Sequence, residues 1–405
     1  MRIGFFIPGL TTAGGAEVLC ASQAGWLRDA GDDVHIVTFA YDRDRYGARL
    51  QGVSVQEVPK YTWHDAFKWP GKFAKLKRRG ARAIGRFAGL DAVVAHNFPC
   101  SATLGAARLD VRKIWYCNEP PRDLHPRLTN PTQSRRIETA PAQPADLQSE
   151  PWRRELDRLL NDHSGAARAR YDLEHVPALD LVIANSRFTA HNVQAIYGRP
   201  AGDVIYPMVR FPDGGSSRSG LDRRGTGVLV HSRLELVKNI DTVVRGFSRF
   251  QATHRDAHLH VVGEGAARAA LETLAAQSLP ADAFTFHGYL PDQELRRVYE
   301  ACDVFALLPL DEPFGMVFPE AAARGLLLIG PDHGGPREIL DDGRLGWCID
   351  AFSPDALAQA LSQASSLSDA EAGRRRTLAD QACRARFAAE VIGPQLRRAI
   401  AGVLA

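Results

Sequence analysis

Short apolar runs alternating with helix-like segments, twice over, leave this chain few architectures to choose from. In the first half "RIGFFIP" leads through "GLTTAGG" into the helix-like "AEVLCASQAGWLRDAG"; "DVHIVTFA", "LDAVVAHN", "VRKIWYCN" and "LDLVIANS" follow. The second half restarts at "TGVLVHSRL" and continues through "AHLHVVGEG", "AFTFHGYL", "CDVFALLPL" and "GLLLIGP". Near-continuous apolar runs separated by helix-sized spacers are the pattern of parallel strands buried on both faces. The expected fold class is therefore α/β, with two Rossmann-like, doubly wound domains facing each other across a cleft.

A length of 405 residues suits two domains better than one. The stretch "YPMVRFPDGGSSRSGLDRRGTG", rich in Pro, Gly, Ser and charge, is where a linker falls, with the boundary near Pro212. This predicts a first domain over 1–211, a linker over 212–226, a second domain over 227–380 and terminal helices over 381–405. Those helices read as interrupted at Pro394 and able to pack back on the first domain. Residues 128–172 are polar and proline-containing and read as an insertion carrying a loop and one helix.

A net charge of +3 gives bulk electrostatics no pull towards nucleic acid. The charge is uneven, however: between Lys60 and Leu90 nine Lys and Arg stand against the single acid Asp65. Within that region Trp69, Phe73, Leu76, Ala83 and Phe87 form an apolar helical stripe flanked by cations. Two readings stay open for residues 68–87: an anionic membrane surface, or a helix packed on the core with a solvated basic face. The six cysteines are scattered, with no C-x-x-C pair, which argues against a zinc site or disulfide framework. The opening "MRIGFFIPGL" reads as a strand and not a signal peptide, and no apolar stretch is long enough to span a membrane. A cytoplasmic location, peripheral on the membrane's inner face if the stripe binds lipid, is the expectation.

Ligands of doubly wound sheets sit outside the carboxyl ends of the strands. After the first strand, Gly14 and Gly15 open a helix; they suit either an approaching phosphate or an ordinary tight turn. G-x-G-x-x-G is absent, so this is not the dinucleotide fingerprint. After the first strand of the second half come Arg233 and Lys238, a planar fork and a point charge suited to a diphosphate. "HVVGEG" then offers Gly263 and Gly265 around Glu264, a turn against which a flat base could lie. "LPLDEPFGMVFPE" places Glu312 past a strand and Glu320 in a helix, with Pro313 and Gly315 shaping the turn. If fully helical, the eight-residue step would separate the carboxylates by about 12 Å, wider than the roughly 5–9.5 Å of a hydrolase pair. It fits two ends of one elongated ligand better. Asp42-x-Asp44 superficially resembles a metal-binding D-x-D site, but lies in a charged loop of the first domain.

"EPFGMVFPE" resembles the E-x7-E signature of retaining GT-B glycosyltransferases of the family 4 type. The resemblance extends to "GGAE", "ANSRFTAHNV", "VIYP", "SRLELVKNID", "VVGEG", "HGYLPDQELRRVYEACDVFALLPLDEPFG" and "GPDHGGPREILDDGRLGW", most of residues 1–350. It implies metal-independent hexosyl transfer with no cofactor. Arg233 and Lys238 would bind the donor diphosphate, Glu320 the ribose and Glu312 the sugar; Gly14 and Gly15 would close over the phosphates. Gly263, Glu264, Phe314, Gly315 and Met316 would complete the donor site, and His96 would turn towards the sugar. "IWYCNEPPR" resembles the Y-C-H-x-P-x-R segment of some O-antigen mannosyltransferases, with Asn118 where that pattern has histidine and Glu119 beside it. On this likeness GDP-mannose is the leading donor, and Asn118, Glu119 and Arg122 are acceptor candidates. The acceptor would be a saccharide or lipid-linked saccharide of surface polysaccharide or lipopolysaccharide synthesis. UDP-sugar-dependent transfer, a GT-B-fold sugar-nucleotide epimerase and a non-catalytic nucleotide-sugar-binding subunit are the alternatives.

Overall fold

The structure, a computed structural model, describes residues 1–12, 14–58, 80–129, 132, 165–212 and 226–405. It divides into two compact units. The first takes in Met1–Pro131, Glu155–Met208 and Ala389–Ala405, the second Thr132–Arg154 and Val209–Ala388.

The first unit is built on a parallel sheet of order β3-β2-β1-β4-β5-β6-β7. Its strands are β1 (Arg2–Ile7), β2 (Asp33–Thr38), β3 (Ser54–Glu57), β4 (Ala92–His96), β5 (Arg112–Cys117), β6 (Leu181–Ala184) and β7 (Asp203–Val204). Alternation along β1 splits its side chains between two cores. Ile3, Phe5 and Ile7 meet Leu19 and Ala24 of the helix Gly15–Asp29 on one face. Phe6 joins Val37, Phe87 and Trp115 on the other. Both faces are covered, which is why these strands read as unbroken apolar runs.

The second unit carries a parallel sheet of order β10-β9-β8-β11-β12-β13. Its strands are β8 (Gly227–His231), β9 (His258–Val262), β10 (Phe284–Gly288), β11 (Val304–Ala306), β12 (Leu327–Pro331) and β13 (Trp347–Ile349). From β8 the chain builds outwards to β10, then returns to β11 on β8's other side and builds the opposite way. The topological switch therefore falls between β8 and β11, where open parallel sheets bind their ligands.

Three expectations need correction, and one open reading is narrowed. The closing helix is not interrupted at Pro394, because Ala389–Leu404 runs through it. Pro394 lies close to the helix start, so its missing N–H leaves only a first-turn carbonyl without its usual partner. The break comes at Ala388, whose extended backbone (φ −63°, ψ 150°) ends the helix Asp369–Phe387. The boundary expected at 381 falls inside that helix, which belongs whole to the second unit. Strand β11 covers only the first three residues of the run "VFALLPL" and ends at Ala306. Finally, Ala83 and Phe87 lie buried in the first unit's core with Ile84, so this end of the basic segment has no apolar stripe to offer a lipid surface. Residues 68–79 of that segment, most of the 128–172 insertion and most of the linker lie outside the described residues. Among the described residues no helix is long and apolar enough to cross a membrane.

Candidate functional site

The switch point of the second sheet carries the cations and the first of the paired acids. Past β8, a single turn of 3-10 helix (Leu236–Lys238) presents Lys238, whose Nζ lies 2.6 Å from Oε2 of Glu312 past β11. Both side chains are largely buried, 15% and 18% exposed, and their pairing offsets part of the cost of taking two charges out of water. The segments are stitched together at the base of the pair. Asn239, buried and left-handed (φ 53°), donates through Nδ2 to the carbonyls of Leu308 (3.0 Å) and Ala351 (2.6 Å). Leu310 N donates to Val237 O at 2.9 Å. From the other side Gly335 N donates to Glu312 O at 2.8 Å. A Cβ on Gly334 would stand 2.8 Å from Glu312 O, and one on Gly335 2.3 Å from Pro313 O, so only glycine allows this approach. Asn239, Gly334 and Gly335 were not singled out from the sequence. An asparagine directly before a helical run and the paired glycines of "DHGGPRE" were the available signals.

Arg233 is exposed and pairs with Glu235 at 2.7 Å, a contact that leaves it free to turn to another anion. Gly263 (φ 131°) and Gly265 owe their identity to the chain beside them. A Cβ would stand 1.8 Å from Ser232 O in one case and 2.3 Å from Leu234 O in the other. Glu264 N–C=O and side chain are both engaged, its carbonyl accepting from Leu234 N at 2.8 Å and its carboxylate pairing with Arg268. The turn is thus held against the loop that bears Arg233.

Between the acids, the ring of Phe314 packs edge-on against Phe387 with centroids 5.2 Å apart. Gly315 is left-handed (φ 94°), and Met316 caps the helix Val317–Ala323. Glu320 stands in that helix's first turn, half-buried, and its carboxylate makes no hydrogen bond or ion pair among the described residues. Arg324, one turn on, is committed elsewhere. Its guanidinium lies 4.6 Å over the ring of Tyr299 and donates to Glu320's own carbonyl at 3.0 Å. Burial therefore dominates and pushes the Glu320 carboxyl up to about 7, with Arg324 only partly opposing it. Tyr299 shares a 2.9 Å hydrogen bond with Nδ1 of His231 at the end of β8, and burial pushes that histidine down to about 4.

In the first unit, Gly14 forms the N-cap of Gly15–Asp29. The carboxylate of Glu17 folds back over it: a Cβ on Gly14 would lie 2.3 Å from Glu17 Oε2, and Thr12 Oγ1 donates to Oε1 at 3.3 Å. An anion meeting Gly14 and Gly15 has to displace that carboxylate. His96 has no exposed surface. It lies between Phe5 and Tyr116, ring centroids at 5.9 and 5.4 Å, and burial pushes it down to about 3. Its Nδ1 is 3.1 Å from Nδ2 of Asn118. Glu119 and Arg122 form an ion pair with each other. Asp42 caps the helix Arg43–Tyr46, accepting from Arg45 N at 3.0 Å, so the D-x-D likeness has a local structural use.

Two parallel α/β units, each with its polar side chains gathered past the strand ends, define the GT-B class of fold. Solved structures agree. Sucrose-phosphate synthase of Thermosynechococcus elongatus matches with a TM-score of 0.74 at 16% identity, over 100% of this chain and 99% of that one. Anabaena HepE in complex with UDP and glucose matches with a TM-score of 0.72 at 17% identity, over 99% of each chain. At these identities the likeness concerns the fold. The family models reach further: Glycosyltransferase Family 4 matches residues 13–210 and Glycosyl transferases group 1 matches residues 217–382. Each model covers less than half of the chain, one towards each end. Among relatives, mannosylfructose-phosphate synthase of Agrobacterium fabrum is 31% identical over 166 residues, 39% of this chain and 35% of that protein's length. A GDP-mannose-dependent phosphatidylinositol monomannoside mannosyltransferase of Mycolicibacterium smegmatis is 29% identical over 198 residues, 45% of this chain and 52% of the relative. The chain therefore spans about a third to a half of these two. An uncharacterised glycosyltransferase of Methanocaldococcus jannaschii is 23% identical over 85% of this chain and 83% of its own length.

Proposed function

We propose that this chain transfers a hexosyl group from a nucleotide-diphosphate sugar to an acceptor hydroxyl, with retention at the anomeric carbon and without a resident metal. The observation that carries this reading is the buried Lys238–Glu312 pair at the switch point of the second sheet. A cation there can turn from Glu312 to the donor's diphosphate, and the Glu312 carboxylate would accept from a sugar hydroxyl. Lys238 and Arg233 would stabilise the charge that develops on the leaving diphosphate, the kind of preorganised electrostatics that dominates many enzymes. Glu320 would accept from the ribose diol, and the Gly263–Gly265 turn would border the base. In the first unit Asn118, Glu119 and Arg122 are the proposed acceptor side, Gly14 and Gly15 would close over the donor phosphates, and His96 would turn towards the sugar. A donor phosphate oxygen would take the acceptor's proton in a same-face displacement, since no second carboxylate is evident as a nucleophile.

GDP-mannose is the leading donor, supported by the mannosyl-transferring relatives; the UDP-bound Anabaena structure keeps UDP-sugars beside it. A saccharide or lipid-linked saccharide is the proposed acceptor. Thermal-shift screening against nucleotide sugars, followed by transfer assays, tests the reading. A matching donor at a hundred times its Kd stabilises by about 2.7 kcal/mol. Lys238→Ala should then cut turnover about 10²–10³-fold, the loss typical of one preorganised charge-stabilising group. A donor that is isomerised without an acceptor, or bound but never transferred, would replace transferase with epimerase or binding subunit.

A further inference from the structure

We propose that Asn118 is a positioning residue that acts through His96: its side-chain amide donates to Nδ1 and holds the histidine as the Nε2–H tautomer, making it a hydrogen-bond donor to substrate and not a general base. The substrate part of this statement rests on the transfer reading above; the tautomer part does not.

The geometry fixes the roles. An amide nitrogen can only donate, so at 3.1 Å from Asn118 Nδ2 the His96 Nδ1 must accept, and the ring proton sits on Nε2. The amide's orientation is fixed in turn. Nδ2 also reaches Oδ1 of Asn97 at 3.3 Å, so turning the amide over would set two carbonyl oxygens against each other. Asn118 is itself anchored, its main-chain carbonyl accepting from Asn185 Nδ2 at 2.7 Å. The imidazole is clamped between Phe5 and Tyr116 and cannot swing away from this contact. Its Nε2 is buried and has no hydrogen-bond partner among the described residues. A buried, oriented N–H without an acceptor is costly unless something supplies one. Among the described residues no carboxylate acts on the ring and burial keeps it neutral, which matches a group that donates without transferring its proton. A substrate oxygen is the acceptor such a donor can use. In the sequence pattern with histidine at this position, the partner of Nδ1 could donate or accept; an asparagine turned this way can only donate.

Nitrogen-15 NMR of histidine-labelled protein reads the tautomer directly, with the His96 signal assigned by its loss in His96→Gln. In the wild type the expected spectrum has a protonated Nε2 and a lone-pair Nδ1. In Asn118→Asp the carboxylate should draw the proton to Nδ1. Turnover should fall at least tenfold, with little change in donor KM. A wild-type spectrum with the proton on Nδ1, or shared between both nitrogens, overturns the proposal even if no variant folds. So does an unchanged tautomer in a folded Asn118→Asp. If the tautomer is as stated but no nucleotide sugar is turned over, the transfer reading fails and the Asn118 assignment survives. If transfer occurs with the other tautomer, the reverse holds.

Discussion

Glu320 shows what a single residue gives up to be ready for a ligand. Its carboxyl is raised to about 7 by burial, against an ordinary value of 4.5. Between those values the unfolded chain has released the proton while the folded chain still holds it, so folding stability falls as pH rises through that window. Glu320→Gln should therefore be more stable than the wild type at pH 8, by roughly 1–3 kcal/mol. The advantage should shrink to nothing near pH 4.5, and urea titrations at the two pH values measure it. A variant no more stable at pH 8 would mean that the carboxylate has a partner there. The same variant should bind nucleoside diphosphate more weakly, because an amide cannot accept from both diol hydroxyls as a carboxylate can. Glu312, Glu320, Arg233 and Lys238 could be read from the chain because their chemical types and spacings are themselves the signal. Asn239, Gly334 and Gly335 could not, because what they touch, the carbonyls near 308–313 and at Ala351, lies far away in sequence.

Among the elements, the long apolar strands were legible, whereas β3 (SVQE), β7 (DV) and β13 (WCI) were not. All three are edge strands of two to four residues. One face or edge is unpartnered in each, so their sequences lack the continuous apolar character that marked the rest. The helix Ala389–Leu404 was visible as a helix able to pack back on the first unit, but the contacts that seat it were not. Gly393 lies so close to Trp26 that a Cβ would stand 2.1 Å from the indole ring. Arg397 grips Asp32 with two hydrogen bonds, 2.8 and 3.2 Å. Gly393→Ala should destabilise the first unit by about 1–3 kcal/mol, since an indole cannot give way as a flexible chain could. A melting temperature equal to the wild type's would show that this helix can shift. Burial would raise the Asp32 carboxyl, but Arg397 and the amine of Met1 outweigh it and hold it below its ordinary value. Its stabilising contribution is thus present above about pH 4 and is lost as pH falls through the lower, folded-state value. Arg397→Met should be less stable than the wild type at pH 7, with the gap narrowing below pH 4 in acid titrations followed by circular dichroism.

For the molecule as a whole, the proposed division of labour predicts where a nucleotide leaves its mark. Amide hydrogen exchange with a nucleoside diphosphate alone should slow in residues 232–239, 263–265 and 311–316, all in the second unit. Protection appearing first around Gly14 and Gly15 would move the donor site to the other sheet. The two-unit organisation was legible because each half repeats the same strand-and-helix alternation. What the alternation by itself could not convey is that the chain, after Val209–Ala388 of the second unit, returns to the first with Ala389–Ala405.

That return has a consequence for how the protein is made. The ribosome delivers every strand of the first sheet, and the whole second unit, before the piece that covers Trp26 and satisfies Asp32 emerges. Until that helix emerges, the first unit carries a bare indole and a carboxylate lacking its guanidinium, so of the two units the one begun earlier is the one finished later.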